Sequence, residues 1–325
     1  MQLIRGYHNL RPEHRGCVAT IGNLDGIHLG HQAVLGQLAE VADEWQLPAV
    51  VITFEPLPRE YFLGERAPAR LTRLREKLQS LRRFAVDRVF CLRFAAALAR
   101  LPAEAFIERL LVDGLGVRYL VVGDDFRFGH QRAGDFAMLH EAGQRHGFKT
   151  AHMRSFAIDG QRVSSSRVRT ALAEGDMAGA ARLLGRPYRI SGRVGHGDRR
   201  GRQIGFPTAN VRLQRRVSPV RGIFAVEVFG LEEEPLPGVA NIGWRPTIGG
   251  DKEPILEVYL LDFTGNLYGR HIQVSLLHRL RDEERFASLD ELTAQIAQDV
   301  AAARHFFDRR QFDGQATPEA LTHDF

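Results

Sequence analysis

Over the first half of the chain, short apolar runs alternate with longer stretches in which apolar positions recur every three to four residues. Residues 16–22, Ala49-Val50-Val51-Ile52-Thr53-Phe54, residues 86–92 and Arg118-Tyr119-Leu120-Val121-Val122-Gly123 read as buried strands. Between them the period changes. Val34, Leu38, Val41 and Trp45 fall on one face of a helix over 29–45, and Leu71, Leu74, Leu78 and Leu81 mark another. Pro102 opens a third helix at a position proline favours. Strands alternating with amphipathic helices predict a parallel sheet covered on both faces. Two short helices, over 166–173 and 176–184, close this first domain, which is placed at 1–184.

Near Leu184-Gly185-Arg186-Pro187 the pattern changes. Glycines and prolines punctuate short β-like runs at 188–194, 223–229, 239–242, 255–261 and 271–277, with no long helical period between them. That predicts an antiparallel barrel or sandwich in a second domain at 185–310. A last helix covers 289–306, with Leu292, Ile296, Val300 and Phe307 roughly on one face. The polar stretch 311–325 reads as a flexible tail.

A length of 325 residues agrees with two domains, and 44% hydrophobic with 26% charged residues describes a globular protein. No apolar run approaches the about 20 residues that span a bilayer, and residues 1–8 lack the apolar core of a secretory signal. No membrane partner is expected. The net charge of +5 is spread over a long chain, its arginines scattered among acids. It reads as a solvated surface with some anion-facing arginines, so no nucleic-acid partner is expected. Cys17 and Cys91, the only cysteines, each lie in an apolar run. They read as buried free thiols in a reducing compartment, the cytoplasm.

Two stretches carry candidate chemistry. Gly22-Asn23-Leu24-Asp25-Gly26-Ile27-His28-Leu29-Gly30-His31 leaves the first strand and opens the first helix, where open parallel sheets bind ligands and where helix N–H groups suit phosphate. His28 and His31 lie on one side of that helix start, and Gly30 leaves room for a nucleotide. Two imidazoles there can donate hydrogen bonds to a phosphate as charge develops. Taken alone, the pair reads equally well as capping histidines, while a metal pair lacks an evident third ligand. Arg162-Val163-Ser164-Ser165-Ser166-Arg167 precedes a helix at the other end of the domain. Its hydroxyls and arginines suit β- and γ-phosphates, although in isolation a capped helix explains them as well. Together the two strings favour phosphate.

The second stretch runs from Gly192 to Asn210. It has no G-K-[ST] ending and is not a P-loop. Gly195, Gly197 and Gly205, in a basic loop with Arg202, can wrap a polyphosphate or simply turn a barrel. Thr208 and Asn210, two apart, can both face a hydrated Mg²⁺ on phosphates. Glu257, inside the apolar run Ile255-Leu256-Glu257-Val258-Tyr259-Leu260, is a candidate base for a primary alcohol. An exterior glutamate on an alternating strand is the plainer alternative.

With these residues set out, the first half resembles the adenylyltransferase module of bacterial bifunctional riboflavin kinase/FAD synthetases, a branch of the H-x-G-H nucleotidyltransferase superfamily. Gly22–His31, Thr53-Phe54-Glu55-Pro56-Leu57-Pro58, residues 121–129 and Val163–Arg169 carry the likeness. The resemblance implies a Rossmann-like α/β fold, attack of FMN phosphate on the α-phosphorus of ATP, and His28 and His31 steadying the transition state. It further implies nucleotide contacts at Gly22, Asn23, Asp25, Gly30, Ser164, Ser165 and Arg167, and a flavin near Pro56, Pro58, Asp125 and Phe128. Leu24 stands where the family usually has phenylalanine, and Leu57 where it has histidine. Residues 186–307 resemble the riboflavin kinase domain of the same family through Gly205-Phe206-Pro207-Thr208-Ala209-Asn210, Ala240-Asn241-Ile242-Gly243 and Leu280-Arg281-Asp282-Glu283. The fold so implied is a six-stranded Greek-key barrel with a C-terminal helix. Pro207 joins the nucleotide loop, Thr208 and Asn210 bind Mg-ATP, and Glu257 deprotonates the ribityl 5′-hydroxyl of riboflavin. Tyr259 and Asn266 replace a common histidine and aspartate. The expected substrates and products are riboflavin, FMN, ATP and FAD, with apo-flavoproteins as recipients of FAD. The alternatives are another H-x-G-H adenylyltransferase, or a non-catalytic flavin- or RNA-binding protein.

Overall fold

Six strands of the first unit run parallel: β1 (Gln2–Arg5), β2 (Cys17–Ile21), β3 (Ala49–Glu55), β4 (Arg88–Arg93), β5 (Val117–Gly123) and β6 (Lys149–Met153). The structure is a computed structural model that describes residues 1–196, 201, 204–246 and 252–315. The sheet order is β1-β4-β3-β2-β5-β6. From β2 the chain proceeds outward through β3 and β4, then returns to lay β5 on the other side of β2. The order therefore reverses between β2 and β5, and the crevice beyond their carboxyl ends is where a sheet of this kind receives a ligand.

β2 is buried at every residue, and all but the last residue of β3 is buried too. Helix α1 (Leu29–Glu44) lays Leu35, Leu38 and Ala42 on one face of the sheet, beside Val18, Val51 and Val89. The other face packs Ala19, Ile52 and Phe90 against Phe106, Leu111 and Leu139. Helices α2 (Pro58–Leu63) and α3 (Leu74–Leu81) follow β3. Cys17 and Cys91 are free and buried, and burial pushes the Cys17 thiol up to about 12 despite the nearby Arg88.

A small hairpin, β7 (Ala157–Ile158) and β8 (Gln161–Arg162), precedes helices Ser165–Glu174 and Met177–Leu184. Packing groups Met1–Val168 with Leu183–Gly185, and Arg169–Arg182 with Arg186–Phe325.

In the second unit β9 (Tyr188–Gly195), β10 (Thr208–Arg212), β11 (Gly222–Phe229), β12 (Leu236–Pro246), β13 (Lys252–Leu260) and β14 (His271–Arg281) close a barrel in the order β10-β13-β12-β11-β14-β9. Every pairing is antiparallel. Residues such as Val211, Phe224, Ala240, Leu256 and Val274 fill it, none more than 1% exposed. The alternate residues point outward, and among them Ile223, Ala225 and Val239 are covered by Val300, Ala303, Phe306 and Phe307 of the terminal helix Leu289–Gln315. That helix runs beyond residue 306, where the apolar pattern ends it, and is still helical over 311–315, where a loose tail is expected. An ion pair of Arg310 with Glu227 at 2.7 Å holds the turn past Phe307. Residues 316–325 lie outside the described part.

Candidate functional site

At the switch point of the first unit, the loop after β2 is held under strain from both ends. Leu24 (φ 47°) and Ile27 (φ 45°) adopt left-handed backbone, yet both side chains are buried in the core beside α1. Such conformations cost about 1–3 kcal/mol each and persist where the surroundings enforce them. The enforcing contacts are visible. The buried Asp25 carboxylate accepts the backbone N–H groups of Leu71 at 3.0 Å and Thr72 at 2.9 Å, and the Thr72 hydroxyl accepts from Gly26 N. Buried Lys77 donates from Nζ to the Asn23 carbonyl at 2.6 Å and to Thr53 Oγ1 at 3.2 Å. Burial lowers the Lys77 pKa, against the pull of Asp25 and Glu55.

His28 is the N-cap of α1, and its Nδ1 accepts the backbone N–H of His31 at 3.3 Å. That assignment leaves the ring proton on Nε2. The two imidazoles stack at 3.7 Å and 17°. His31 Nδ1 is enclosed without a hydrogen-bond partner. Burial, reinforced by the charges of His28, Lys77 and Arg162, holds the His31 pKa well below its ordinary 6.5. The capping role of His28 and a phosphate-facing role of the pair are compatible.

The serine string arrives from residues 140 positions away. Ser165 Oγ donates to the carbonyl of Asp25 at 2.9 Å, so the two motifs meet. A Cβ on Gly30 would stand 3.3 Å from the His28 ring and 3.6 Å from the Val163 carbonyl, so glycine lets the second segment close on the first. Ser164 Oγ accepts the N–H of Arg167 at 3.3 Å and caps the helix that begins at Ser165. Arg167 turns back to the carbonyls of Gln161 and Arg162. The arginine whose charge bears on His31 is Arg162, which also pairs with Asp125 at 2.7 Å and Asp124 at 3.9 Å. Gly22 and the exposed Asn23 begin the loop.

The residues matched to a flavin separate into two environments. Pro56 is exposed and Pro58 half-buried at the start of α2. Arg70 hydrogen-bonds both Glu55 and Glu60 on either side of that turn. Next to it Phe54, Tyr61, Phe62 and Phe94 form an edge-to-face cluster, in which Tyr61 is 40% and Phe62 63% exposed. Asp125 is exposed on the Arg162 side. Phe128 is a core residue, packed between Phe106 and Phe126 and over Gly134. Leu57 is buried and serves packing.

On the barrel, Gly195 ends β9, while Gly197 and Arg202 lie outside the described residues. Gly205 (φ 86°) and Pro207 are exposed before β10. A Cβ on Gly201 would stand 2.4 Å from the Phe206 carbonyl, so the loop lies backbone against backbone there. Along β10, Thr208 pairs with Tyr259 and Asn210 with Glu257. Across β13, Glu257 pairs with Asn241 of β12, whose Nδ2 donates to Glu257 Oε2 at 3.5 Å. Leu256 and Val258 fill the barrel, so Glu257 is on the outer face, as the plainer alternative has it, but in a polar row with Asn210 and Asn241.

Lys77 and the exposed aromatics were not singled out from sequence, Asn241 entered only within a matched string, and Arg162 entered only with the serine string as a phosphate contact. A lysine in an amphipathic helix reads as solvated, and its neighbours here come from distant segments. The aromatic pair Tyr61-Phe62 was the one legible signal.

A crevice at the switch point of a parallel sheet, lined by two stacked imidazoles and serines, followed by a barrel with a carboxylate between two amides, is the arrangement of a two-domain transferase. A family model described as FAD synthetase matches residues 10–167, and one described as riboflavin kinase matches 184–307. The bifunctional riboflavin kinase/FMN adenylyltransferase of Escherichia coli (strain K12) is 57% identical over 308 residues, covering 94% of this chain and 98% of that protein. Its counterpart in Pseudomonas fluorescens is 55% identical, covering 94% and 97%. A solved structure of a macrolide-efflux protein from Streptococcus pneumoniae superimposes with a TM-score of 0.79 at 28% identity, covering 94% and 99%. The chain belongs to the bifunctional riboflavin kinase/FMN adenylyltransferase family. It phosphorylates riboflavin to FMN and joins FMN to AMP from ATP, giving FAD.

Proposed function

We propose that residues 1–184 carry adenylyl transfer and 185–310 phosphorylation, each with its own ATP. In the first site, Gly22, Asn23, Gly30, Ser164 and Ser165 line the path of the nucleotide, and Nε2 of His28 and the ring of His31 donate to the α-phosphate as charge builds on it. An oxygen of the FMN phosphate attacks the α-phosphorus and pyrophosphate leaves. Asp25 acts through the loop it anchors, and Arg167 through the turn it holds. Pro56, Pro58 and the exposed Tyr61 and Phe62 offer an apolar, aromatic surface for the flavin, while Asp125 approaches through Arg162 and Phe128 supports from behind.

In the second site, Glu257 takes the proton of the ribityl 5′-hydroxyl as its oxygen attacks the γ-phosphorus and ADP leaves. Gly195, Gly197, Arg202, Gly205 and Pro207 form the nucleotide loop. Among the described residues no group of three or more His, Cys, Asp or Glu is placed to hold a metal ion. The hydroxyl of Thr208 and the amide oxygen of Asn210 are hard, neutral donors on the same side of β10, and they fit Mg²⁺ that arrives with the nucleotide's phosphates. Bound there, the ion neutralises phosphate charge. Two buried thiols suit a cytoplasmic protein, and among the described residues no helix is long and apolar enough to cross a membrane.

The observation that carries these roles is convergence. Ser165 closes on Asp25 across 140 residues, and the strand register sets Glu257 opposite Asn210. Chromatography of products from riboflavin, ATP and Mg²⁺ with Glu257→Gln tests the second role, and FMN formed at the wild-type rate would overturn it.

A further inference from the structure

Gln32 follows His31 in the first turn of α1, and neither site motif accounts for its side chain. A glutamine at such a position reads as solvated, yet Gln32 is half-buried and both hydrogens of its amide are engaged. Nε2 donates to the Ile27 carbonyl at 2.9 Å and to the Leu184 carbonyl at 2.7 Å. Ile27 belongs to the strained loop of the site, while Leu184 arrives from 152 residues beyond Gln32. Both are buried.

The backbone of Gln32 acts on the same loop. Its N–H donates to the His28 carbonyl at 3.0 Å, beside the N–H of His31 at 2.8 Å. Gln32 therefore holds the carbonyls on both sides of the His28 Cα, one with its side chain and one with its backbone. A peptide unit is planar, so fixing its oxygen fixes its plane, and two fixed planes set the φ and ψ between them. His28 stands there at φ −71° and ψ 169°, directly after left-handed Ile27 at φ 45°. A strained residue persists only where its surroundings hold it. Asp25 and Thr72 hold the middle of the loop, and Gln32 holds its last peptide before the helix.

The bond to Leu184 orients the amide in turn. Turned over, the amide would set its oxygen against two carbonyl oxygens, so one orientation alone suits the place. Gly185 (φ 69°) allows the close approach, since a Cβ there would stand 2.8 Å from Leu29 Cδ2 and 3.6 Å from Gln32 Nε2. We infer that Gln32 is a positioning residue for adenylyl transfer, which fixes the peptide planes on either side of His28 and so aims its imidazole. The inference rests on His28 donating to the α-phosphate. Aim matters most in the transition state, where donors must meet charge at the place it develops. Its loss therefore falls on kcat and not on KM.

The experiment measures FAD formation from supplied FMN, ATP and Mg²⁺ by the full-length chain, with near-ultraviolet dichroism reporting on the fold. Gln32→Met keeps the length of the side chain and removes its donors. It is expected to lower kcat about tenfold and leave the KM for ATP within about twofold of wild type. Gln32→Glu, matched in shape, sets a carboxylate against two carbonyl oxygens and is expected to lose at least as much. It decides the matter if Gln32→Met disturbs the fold. In a His28→Ala background either change is expected to cost less than about twofold further, because the ring it aims is gone. A merely structural tie would cost the same in both backgrounds. That result, or a wild-type kcat in both folded Gln32 variants, overturns the positioning role alone. Should His28→Ala itself form FAD at the wild-type rate, the role of His28 and that of its positioning residue fall together.

Discussion

His31 is neutral at pH 7 in the ligand-free protein, because burial and the charges of His28, Lys77 and Arg162 all oppose its protonation. The unfolded chain has no such opposition and takes up a proton as pH falls through about 6.5. The folded-state pKa being the lower one, stability is lost as pH falls from that value toward it. His31→Gln, which cannot titrate, should show a shallower loss of urea stability between pH 7 and 5. An unchanged slope would mean that His31 is not held neutral. Lys77 is the companion case. It is a buried cation whose two hydrogen-bond partners, the Asn23 carbonyl and Thr53 Oγ1, are neutral, and on which Asp25 and Glu55 act only through their charge. Lys77→Met is expected to alter stability by less than about 1 kcal/mol, since removing a buried charge offsets the lost hydrogen bonds. FAD formation should nonetheless fall about tenfold, because the strained loop loses its clamp. A variant with full adenylylation would show the clamp dispensable. Lys77 was not legible beforehand, and Arg162 was legible only as a phosphate contact, not as a charge bearing on His31. His28, His31 and the serines were legible because each motif is local, with its chemistry in adjacent residues.

At the scale of elements, the strands missed from sequence were edges or short. β1 has four residues with one buried, and β6, at the other edge, has none buried. Neither carries the continuous apolar run of a central parallel strand. β10, five residues long beside a glycine-rich loop, was legible only as a motif. The end of the terminal helix was misjudged because its last turns are held by charge, which periodicity does not register. Besides Arg310–Glu227, two further arginine–carboxylate pairs on this helix differ in depth. Arg281 binds Asp299 through two bonds of 2.7 and 2.8 Å, and the Asp299 carboxylate is 7% exposed. Arg304 binds Asp262 on the open surface. Asp299→Ala leaves a guanidinium in a closed site and should cost about 3 kcal/mol in denaturant unfolding of the barrel unit. Asp262→Ala should leave the midpoint in place, as exposed pairs contribute little. Equal effects would show that depth does not govern these contacts.

For the whole molecule, the succession of an α/β fold and a barrel was legible from the change of period along the chain, because each buries its own core. The two reactions make different demands on ATP. One opens the α-phosphate with pyrophosphate leaving, while the other opens the γ-phosphate with ADP leaving, so one cradle cannot serve both. His31→Ala should lower FAD formation from supplied FMN by about 10²- to 10³-fold and leave riboflavin phosphorylation intact. Glu257→Gln should do the reverse, abolishing FMN production while supplied FMN is still adenylylated. An equimolar mixture of the two variants, given riboflavin, ATP and Mg²⁺, then has one working copy of each site on separate chains. FMN made by the first must cross solution to the second, so FAD should appear after a lag that shortens as protein concentration rises. A folded single variant lacking both activities would refute the independence of the sites. A mixture that makes FMN but no FAD, from variants each active in its remaining step, would show instead that FMN is not handed over through solution.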